Sequence, residues 1–442
     1  MESLVGYVCL ASSRNYGVLE KYNNELKNIS ELNQGQIKDY TEESLKELLD
    51  YLYHKNLYYR EKLEQAGYSP DKDFTLELFQ NIEPLSKEVI RNDKNIILCV
   101  PPEEIVHIHT STGTSGGENI YVMYTMNDLY GSDLIPKLGR LFELQASDVV
   151  AVALPYEMSS AGQAFQRVAQ VGFGAAVLPV GKGGAYSEPS KTIKMMQDLH
   201  CNTIFTSPSY IVELMKAAEK AHVDLNNDIS LDMIWLTGEG CSDAFRKKIE
   251  KKWNTKARFY YGSLECGALG IECETNSGYH IPASHVFLEI INPDTGEALE
   301  DGEIGEIVVT TLLKEGTPLL RYRTQDLGYL ENEDCECGIS LKKLYLRGRK
   351  IDQICLEGNE YSPIYVEEML MRIEEVGFNY YMNVHKDYIE IVIELDDEVE
   401  YYEGIEEIIS SKLEFSCGIP NKIVVSNEIP YTGKKMRRVN YL

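Results

Sequence analysis

The sequence predicts an α/β protein, with a large N-terminal α/β domain that has a helical N-terminal layer and a small, mobile C-terminal α+β domain. Two observations predict this class. Short apolar runs alternate with helix patterns through the middle of the chain, which is typical of a domain with a largely parallel sheet. The chain of 442 residues is also too long for one ordinary hydrophobic core. We therefore expect boundaries at 1–95, 96–346 and 347–442.

The periodicity of the apolar residues predicts each element in turn. In EESLKELLDYLYHKNLYYREKLEQAG, apolar residues return every three or four positions, which predicts the helical layer of residues 1–95. Four later runs predict strands: VVAVALP, AAVLPVG, TIFTSP and MIWLTGEG. SYIVELMKAAEKA and DAFRKKIEKKW predict helices. After the junction YLRGRKID, the segments YIEIVIELD and EGIEEIISSKLEF indicate a strand and a helix of the last domain.

The composition argues against several classes of partner. The chain has 70 acidic and 43 basic residues and a formal net charge of −27, which repels nucleic-acid phosphates and anionic membrane surfaces. No apolar run approaches the length of a membrane span, and no basic segment precedes the short apolar stretch near the N-terminus. Ten cysteines, mostly single in apolar segments, suit a reducing compartment. We expect a cytoplasmic protein with neither nucleic acid nor membrane as a partner.

The stretch HTSTGTSGGEN, residues 109–119, is rich in glycine and hydroxyl side chains. Glycines let the backbone approach a ligand closely, while hydroxyls and amides donate hydrogen bonds to phosphate oxygens. The stretch lacks the lysine of G-x-x-x-x-G-K-[ST], so it is not a Walker loop. On its own, this composition favours an ordinary solvated turn over a phosphate-binding loop.

Five further motifs follow this loop in order: TGEG, YYGSLE, RYRTQDL, GRKIDQICLEGNEYSP and TGKKMRRV. Together with the loop they resemble the adenylate-forming superfamily, and in particular the phenylacetate–coenzyme A ligase family, from about residue 50 to the end of the chain. That family joins a carboxylic acid to AMP, using ATP and Mg²⁺ and releasing pyrophosphate. A thiol, usually that of coenzyme A, then displaces AMP and leaves a thioester. The resemblance therefore implies an AMP-forming acid–thiol ligase whose adenylation core is residues 96–346.

The resemblance assigns the nucleotide contacts by position. It implies that the glycine-rich loop holds the β- and γ-phosphates and that Glu265 binds a magnesium ion. Asp326 is implied to accept hydrogen bonds from the ribose hydroxyls, and Tyr261 to stack on the base. The implied ATP-binding residues are Ser111, Thr112, Gly113, Thr114, Ser115, Gly116, Thr237, Gly238, Glu239, Tyr261, Gly262, Asp326 and Arg349.

Lys435 matches the C-terminal lysine that such enzymes bring to the reacting carboxylate and α-phosphate, with Lys434 as the adjacent alternative. Because this attack brings two anions together, a positive charge lowers its barrier. Lys435 and Glu265 are therefore the implied catalytic residues. A basic cluster near a chain end is otherwise most often a solvated tail. Family members rotate the C-terminal domain between the two half-reactions, and GRKID is the candidate hinge.

Four residues depart from the family pattern. Gly117 and Glu118 stand where a lysine and a proline usually follow the phosphate loop, Leu264 stands where the motif before Glu265 has a hydroxyl, and Ile351 replaces an acidic hinge residue. These departures leave open a degenerate nucleotide-binding relative that does not turn over. Within the enzyme hypothesis, the acceptor is coenzyme A or the thiol of an acyl or peptidyl carrier protein.

The acid pocket is also implied by resemblance, from the region LPYEMSSAGQAFQRVAQVGFGAAVLPVG and its neighbours. Apolar and aromatic side chains with a few hydroxyls suit an aryl or arylalkyl acid. For Tyr156 and Met158, a place in the core is an equally weighted alternative. The implied substrate-binding residues are His109, Tyr156, Met158, Ser159, Ser160, Gly162 and Tyr210.

Three cysteines and a histidine form a second group: Cys273, His280, Cys335 and Cys337. Thiolates and an imidazole fit a tetrahedral zinc site, although the C-x-C spacing is tighter than the common C-x₂₋₄-C. The alternative is a set of scattered thiols at a hairpin tip. Several ligases of the resembled family have a similar set, which favours a structural zinc ion, with Cys266 as a reserve ligand. Because family members are often dimers, a homodimer is a further partner that the resemblance allows.

Overall fold

A computed structural model describes residues 29–111, 119–129, 141–158, 161–356, 358–431 and 438–442. Several residues singled out from the sequence lie outside these described residues. They are the loop residues Thr112, Gly113, Thr114, Ser115 and Gly116, with Gly117 and Glu118, the pocket residues Ser159 and Ser160, and the lysines Lys434 and Lys435.

The predicted helices in residues 42–67, 209–221 and 243–253 are confirmed. Side-chain caps fix where several helices begin: Asn33 accepts a hydrogen bond from the backbone of Gln36, and Ser242 accepts one from the backbone of Phe245. In chain order the α-helices of the described residues are α1 (Gln34–Lys55), α2 (Leu57–Gln65), α3 (Leu76–Gln80), α4 (Lys87–Asn92), α5 (Ala161–Arg167), α6 (Pro189–Asp198), α7 (Pro208–Lys220), α8 (Asp243–Trp253), α9 (Pro363–Met371) and α10 (Ile405–Cys417).

The predicted strands are also confirmed, each with somewhat shorter bounds than its apolar run. In chain order the strands are β1 (His107–Thr110), β2 (Tyr121–Tyr124), β3 (Val149–Ala153), β4 (Ala176–Pro179), β5 (Thr203–Thr206), β6 (Met233–Thr237), β7 (Lys256–Ser263), β8 (Gly267–Ile271), β9 (Tyr279–His280), β10 (Val286–Ile291), β11 (Gly305–Thr311), β12 (Tyr322–Glu331), β13 (Lys343–Arg349), β14 (Ile354–Leu356), β15 (Asn359–Tyr361), β16 (Val376–Val384), β17 (Ile389–Leu395), β18 (Asn421–Val425) and β19 (Val439–Tyr441).

The chain divides into two compact units, each made of two segments. The first unit comprises the described residues up to Pro179 together with Arg258–Leu346. The second unit comprises Val180–Ala257 together with Arg347–Leu442. The domain limits at 1–95, 96–346 and 347–442 stay a prediction.

In the first unit, seven strands hydrogen-bond in the order β10-β11-β12-β13-β9-β8-β7, and β3 pairs with β4. The β3–β4 pair is parallel, but the pairs β10–β11, β11–β12, β13–β9, β9–β8 and β8–β7 are antiparallel. The expectation of a largely parallel sheet is therefore wrong for this part. The connections from β7 to β13 contain no helix long enough for a parallel crossover, and short connections between neighbouring strands produce antiparallel pairs.

The helical layer of the first unit is tied to its sheet by buried tyrosines. The hydroxyl of Tyr51 on α1 donates to the carbonyl of Glu315 at 3.0 Å. The hydroxyl of Tyr59 on α2 donates to the carbonyl of Pro318 at 2.6 Å. Each ring thus buries apolar surface while its polar end is hydrogen-bonded, as a buried tyrosine requires. The predicted N-terminal helical layer is confirmed for the described residues.

In the second unit, β5 and β6 form a parallel pair with α7 between them in the sequence. A four-stranded sheet has the order β18-β17-β16-β19, and β14 pairs with β15. None of the helices in the described parts of the chain combines the length and apolar character needed to cross a membrane.

Arg321, which precedes β12, is a charged residue buried inside the first unit. Its Nε donates to Glu289 Oε2 at 3.0 Å, and the two side chains are 1% and 5% exposed. Its Nη1 donates to the backbone carbonyls of Gln80 and Ile82. One guanidinium therefore joins the helical layer to the strand that carries Glu289.

Replacing Arg321 by methionine removes the partner of a buried carboxylate. We expect Arg321→Met to lower the free energy of unfolding by about 3–5 kcal/mol, because Glu289 is left buried and unpaired. The double variant Arg321→Met/Glu289→Leu removes both charges, so we expect it to regain most of that loss in urea denaturation followed by circular dichroism. A double variant no more stable than Arg321→Met would contradict this account.

Candidate active site

Tyr261 and Asp326, two residues that the sequence predicts to bind the nucleotide, are hydrogen-bonded to each other in the first unit. The Tyr261 hydroxyl on β7 donates to Asp326 Oδ2 on β12 at 2.6 Å. The register of β12 against β11 shifts near this point, and Gln325 has a φ of 68°. Such irregularities re-aim the next side chain. Two residues 65 positions apart are thus held together in one site.

Glu265 follows β7 and lies between two lysine side chains. Lys87 Nζ is 3.3 Å from Glu265 Oε1, and the side chains are 22% and 10% exposed. Lys314 Nζ donates to the Glu265 backbone carbonyl at 2.6 Å and lies 5.1 Å from the centre of the Tyr124 ring. A carboxylate oxygen is the type of hard ligand that Mg²⁺ prefers. Neither lysine could be identified from the sequence, because only the fold brings them to Glu265.

Ser111 lies at the start of the glycine-rich loop. Its hydroxyl accepts a hydrogen bond from the Ile120 backbone at 2.9 Å, and its own N–H donates to the Ile120 carbonyl at 2.9 Å. The two residues that flank the segment 112–119 are therefore bonded to each other. The two ends of the glycine-rich stretch are thereby held together by two hydrogen bonds.

His109 on β1 is buried, with 2% of its surface exposed. Its ring lies 4.3 Å from the ring of His107 and meets the Tyr124 ring edge to face at 5.1 Å. Burial first, and then the nearby His107, Arg167 and Lys314 side chains, lower the pKa of His109 to about 4. His109 is therefore neutral at pH 7. Its Nε2 has no hydrogen-bond partner among the residues that the structure describes.

Three further residues that the sequence predicts for the acid pocket lie in the first unit: Tyr156, Met158 and Gly162. Met158 is 54% exposed, so a place in the core is wrong for this residue. Tyr156 is half-buried, and its ring packs so closely on Gly162 that an added Cβ would lie 2.7 Å from a ring carbon. Tyr210 belongs to the second unit, where it is fully buried on α7.

The loop after β6 in the second unit carries Thr237, Gly238 and Glu239. Thr237 is buried, and Gly238 has a φ of 82°, which glycine adopts without strain. Glu239 Oε1 accepts from Lys182 Nζ at 2.8 Å and from Ser209 Oγ at 2.9 Å. Burial raises the pKa of Glu239, but the Lys182 ammonium and the Ser209 hydroxyl outweigh burial and leave the pKa below its ordinary value.

Arg349, also in the second unit, is exposed at the end of β13, and its carbonyl accepts a hydrogen bond from Gln353 at 2.9 Å. The implied ATP-binding residues of the described chain are thus divided. Ser111, Tyr261, Gly262 and Asp326 belong to the first unit, and Thr237, Gly238, Glu239 and Arg349 belong to the second.

The predicted cysteine and histidine ligands come together in the first unit. One ligand atom from each of Cys273, His280, Cys335 and Cys337 lies within 4.8 Å of all the others, and all four residues are buried. Cys266 is not a member of this group, and burial raises the pKa of its thiol to about 12.

The spacing of these atoms fits a tetrahedral zinc site. With zinc–sulfur bonds of about 2.3 Å, tetrahedral ligand atoms lie about 3.8 Å apart. The Sγ atoms of Cys273 and Cys335 are 3.7 Å apart, and Cys337 Sγ is 3.4 Å from His280 Nε2. His280 Nδ1 lies 3.2 Å from the Leu341 carbonyl. A proton on Nδ1 donated to that carbonyl leaves the lone pair of Nε2 directed at the three cysteines, as a metal site would require.

A family model described as AMP-binding enzyme matches residues 64–312. The chain is also 30% identical over 428 residues to the phenylacetate-coenzyme A ligase of Thermus thermophilus, an alignment that covers 90% of this chain and 95% of the relative. The chain belongs to the AMP-binding enzyme family. A second relative, the phenylacetate-coenzyme A ligase of Pseudomonas putida, is 29% identical, with 92% of this chain and 91% of the relative covered.

Solved structures show the same fold. The crystal structure of 2-hydroxyisobutyryl-CoA ligase in the postadenylation state, in complex with R3-HIB-AMP, superposes with a TM-score of 0.84. The two chains are 19% identical, and the superposition covers 93% of this chain and 90% of that ligase. The predicted α/β fold is confirmed.

The buried, neutral His109 makes stability depend on pH. Between its ordinary value of 6.5 and its folded pKa of about 4, the unfolded chain binds a proton that the folded chain does not. The contribution of His109 to the free energy of unfolding is therefore fully present above pH 6.5 and is lost as the pH falls towards 4. Between pH 7 and pH 5, we expect the free energy of unfolding of wild type to fall by about 1–2 kcal/mol more than that of His109→Gln. Urea denaturation at the two pH values measures both changes.

The exposed His54 on α1 supplies the matched control. His54→Gln makes the same substitution at an exposed position, so it controls for the change of residue type without removing a buried ring. An equal loss of stability between pH 7 and pH 5 in wild type and His109→Gln would show that His109 titrates normally in the folded chain.

Proposed function

We propose that this protein uses ATP to adenylate a carboxylic acid and then transfers the acyl group to the thiol of coenzyme A. The observation that carries the proposal is the Tyr261–Asp326 hydrogen bond beside Glu265, in a chain that belongs to the AMP-binding enzyme family. The names of the relatives, which are phenylacetate-coenzyme A ligases, support coenzyme A as the acceptor.

In the first half-reaction a carboxylate oxygen forms a bond to the α-phosphorus of ATP, and the bond from that phosphorus to pyrophosphate breaks. Lysines near Glu265 suit this step, because Lys87 and Lys314 bring positive charge to a place where negative charge accumulates. A magnesium ion held by Glu265 neutralises phosphate charge when bound. Lys435 is proposed to act on the reacting oxygens themselves.

Asp326 is proposed to hold the ribose. A carboxylate accepts several hydrogen bonds at once, so Asp326 can receive the ribose hydroxyls while the Tyr261 hydroxyl keeps it oriented. An oriented carboxylate lowers the cost of ordering the nucleotide, because the group does not have to be immobilised when ATP binds.

The substrate class is proposed to be aryl or arylalkyl acids. Tyr156 and the exposed Met158 supply aromatic and apolar surface in the pocket region. The neutral His109 adds an apolar ring face and one buried nitrogen rather than a charge. Such a surface favours a ring over a short polar chain. A carrier-protein thiol is the alternative acceptor, and it is distinguished by experiment.

Release of pyrophosphate from ATP and Mg²⁺ tests the proposal across a panel of aryl, arylalkyl and short aliphatic acids, with and without coenzyme A. We expect release that depends on an aryl acid, and an acyl thioester only when coenzyme A is present. Acid-dependent release without a thioester would identify a carrier protein as the acceptor. Intact ATP binding with no release for any acid would instead indicate a binding protein that has lost turnover.

Lys435→Ala tests the proposed electrostatic role of the C-terminal lysine. Removing a positive charge from the developing transition state is expected to slow acid-dependent pyrophosphate release by about 10²- to 10³-fold. Lys434→Ala is the matched control and is expected to stay within about threefold of wild type. If Lys434→Ala is the slow variant, the adjacent lysine is the catalytic one; if neither is slow, the lysine role is wrong.

We also propose a structural zinc ion at Cys273, His280, Cys335 and Cys337. The tetrahedral spacing of four buried ligand atoms supports it, and a full set of protein ligands leaves no position for chemistry.

Metal analysis of the purified protein is expected to find about one zinc ion per chain. Cys337→Ser is expected to lose most of the zinc and to have a lower melting temperature. Cys355→Ser, at an exposed cysteine, is expected to keep the zinc content and the melting temperature of wild type. Wild type free of zinc would contradict the proposal.

We also propose a cytoplasmic location and a homodimeric state. A cytoplasmic location is supported by the scattered single cysteines, which suit a reducing compartment. A homodimer is supported by the family resemblance alone, and light scattering after size-exclusion chromatography measures the oligomeric state directly.

A further inference from the structure

Tyr431 lies in a buried polar cluster of the second unit. Its ring packs against the Tyr210 ring with the centres 6.3 Å apart, and Lys182 Nζ lies 5.8 Å from the centre of the Tyr431 ring. The same Lys182 donates to Glu239 at 2.8 Å, with the two side chains 7% and 10% exposed. Tyr431 is therefore held by the ammonium that also holds the loop after β6.

Arg438 lies in a second buried cluster of the same unit. Its guanidinium donates to Glu367 Oε2 and stacks between two rings, 4.8 Å from the centre of Phe245 and 4.6 Å from the centre of Tyr380. Glu367 is 4% exposed at its side chain. Its other oxygen, Oε1, accepts from the backbone N–H of Ser242 at the start of α8. Arg438 is therefore connected to the same loop through one carboxylate.

The two clusters take their residues from the same two stretches of the chain. Glu239 and Ser242 are three residues apart in the loop between β6 and α8. Tyr431 and Arg438 flank residues 432–437, which contain Lys434 and Lys435. The negative charge of Glu239 also interacts with the Arg438 guanidinium. The two residues that flank residues 432–437 in the sequence, Tyr431 and Arg438, are thus each connected through one side chain to the loop between β6 and α8.

We propose that Tyr431 and Arg438 are positioning residues that align Lys435 for adenylation by fixing both ends of its segment to the loop of residues 237–242. The inference rests on the proposed function of the chain. Neither residue has to touch the substrate for this role. Arg438 suits it because a planar guanidinium stacks on rings and pairs with a carboxylate at the same time, which a lysine cannot do.

The role predicts that the two half-reactions respond differently. A misplacement of about 1 Å in a reacting group costs about a hundredfold in rate. Loosening either end of the segment should therefore lower the kcat of acid-dependent pyrophosphate release. The KM for ATP should change little, because neither Tyr431 nor Arg438 is proposed to contact the nucleotide. Thioester formation from a preformed acyl adenylate does not need the lysine at the α-phosphate, so its rate should be retained.

The experiment measures both half-reactions for Tyr431→Ala, Arg438→Met and Arg438→Lys. The first half-reaction is measured as pyrophosphate release with the best acid of the panel and no coenzyme A. The second half-reaction is measured as thioester formation from coenzyme A and the chemically synthesised acyl adenylate of that acid. The control is Lys422→Met, which breaks the exposed ion pair with Glu390 in the same unit.

We expect Tyr431→Ala and Arg438→Met to lower the kcat of pyrophosphate release by about tenfold to a hundredfold, with the KM for ATP and the thioester rate within about twofold of wild type. Arg438→Lys keeps the charge but loses the stacking, so it should fall between wild type and Arg438→Met. Lys422→Met should match wild type in both half-reactions.

Three outcomes would overturn the inference while wild type stays active: both half-reactions slow equally, the KM for ATP rises with kcat unchanged, or no variant differs from the control. Thermal melting identifies any Arg438 variant that does not fold. In that case Tyr431→Ala alone tests the inference, because Tyr431 is only half-buried in a loop. Wild type that releases no pyrophosphate with any acid defeats the proposed function instead, so the two failures are distinguishable.

Discussion

Charge pairing in a strongly acidic chain is the constraint on which the rest of this site depends. The protein carries a net charge of −27, and its proposed reaction brings a carboxylate to a triphosphate, so repulsion is the first barrier to turnover. The structure places a cation beside the key carboxylates: Lys87 with Glu265, and Lys182 with Glu239. Because these pairs are largely buried, water and salt screen them far less than surface pairs.

This pairing separates two uses of acidic residues in the chain. Most of the carboxylates lie on the surface, where hydration satisfies them and the charge contributes to solubility. Three less exposed carboxylates each orient a specific group: the half-buried Asp326 receives the Tyr261 hydroxyl, the buried Glu289 receives Arg321, and the buried Glu367 receives Arg438. A buried ion pair contributes little net stability compared with apolar packing, so its value here is the orientation that it imposes.

Much of the fold and part of the site could be predicted from the sequence. Apolar periodicity located α1, α7 and α8, because it reports local geometry. The antiparallel pairing among strands β7 to β13 was not predicted, because strand direction depends on pairings between distant residues. Tyr261 and Asp326 were named in advance from motif resemblance. Their hydrogen bond was not, since it joins two strands separated by 65 positions.

The lysines that pair with these carboxylates could not be predicted from the sequence either. Lys87, Lys182 and Lys314 have no neighbours in the sequence that mark them as functional, and their partners are distant in the chain. The lowered pKa of His109 likewise follows from burial beside His107 and Tyr124, which the motif alone does not reveal. The residue types of the cysteine and histidine group were visible in the sequence, but the 3.7 Å separation of two of its sulfurs was not.

The central claim is that the acid becomes bonded to AMP through one of its own carboxylate oxygens. The direct measurement uses the responding acid with both carboxyl oxygens replaced by ¹⁸O, ATP, Mg²⁺ and coenzyme A, followed by mass spectrometry of the nucleotide and phosphate products. The account predicts AMP that carries one ¹⁸O atom, with unlabelled pyrophosphate. Label in orthophosphate together with ADP, or turnover that leaves AMP unlabelled, would contradict it.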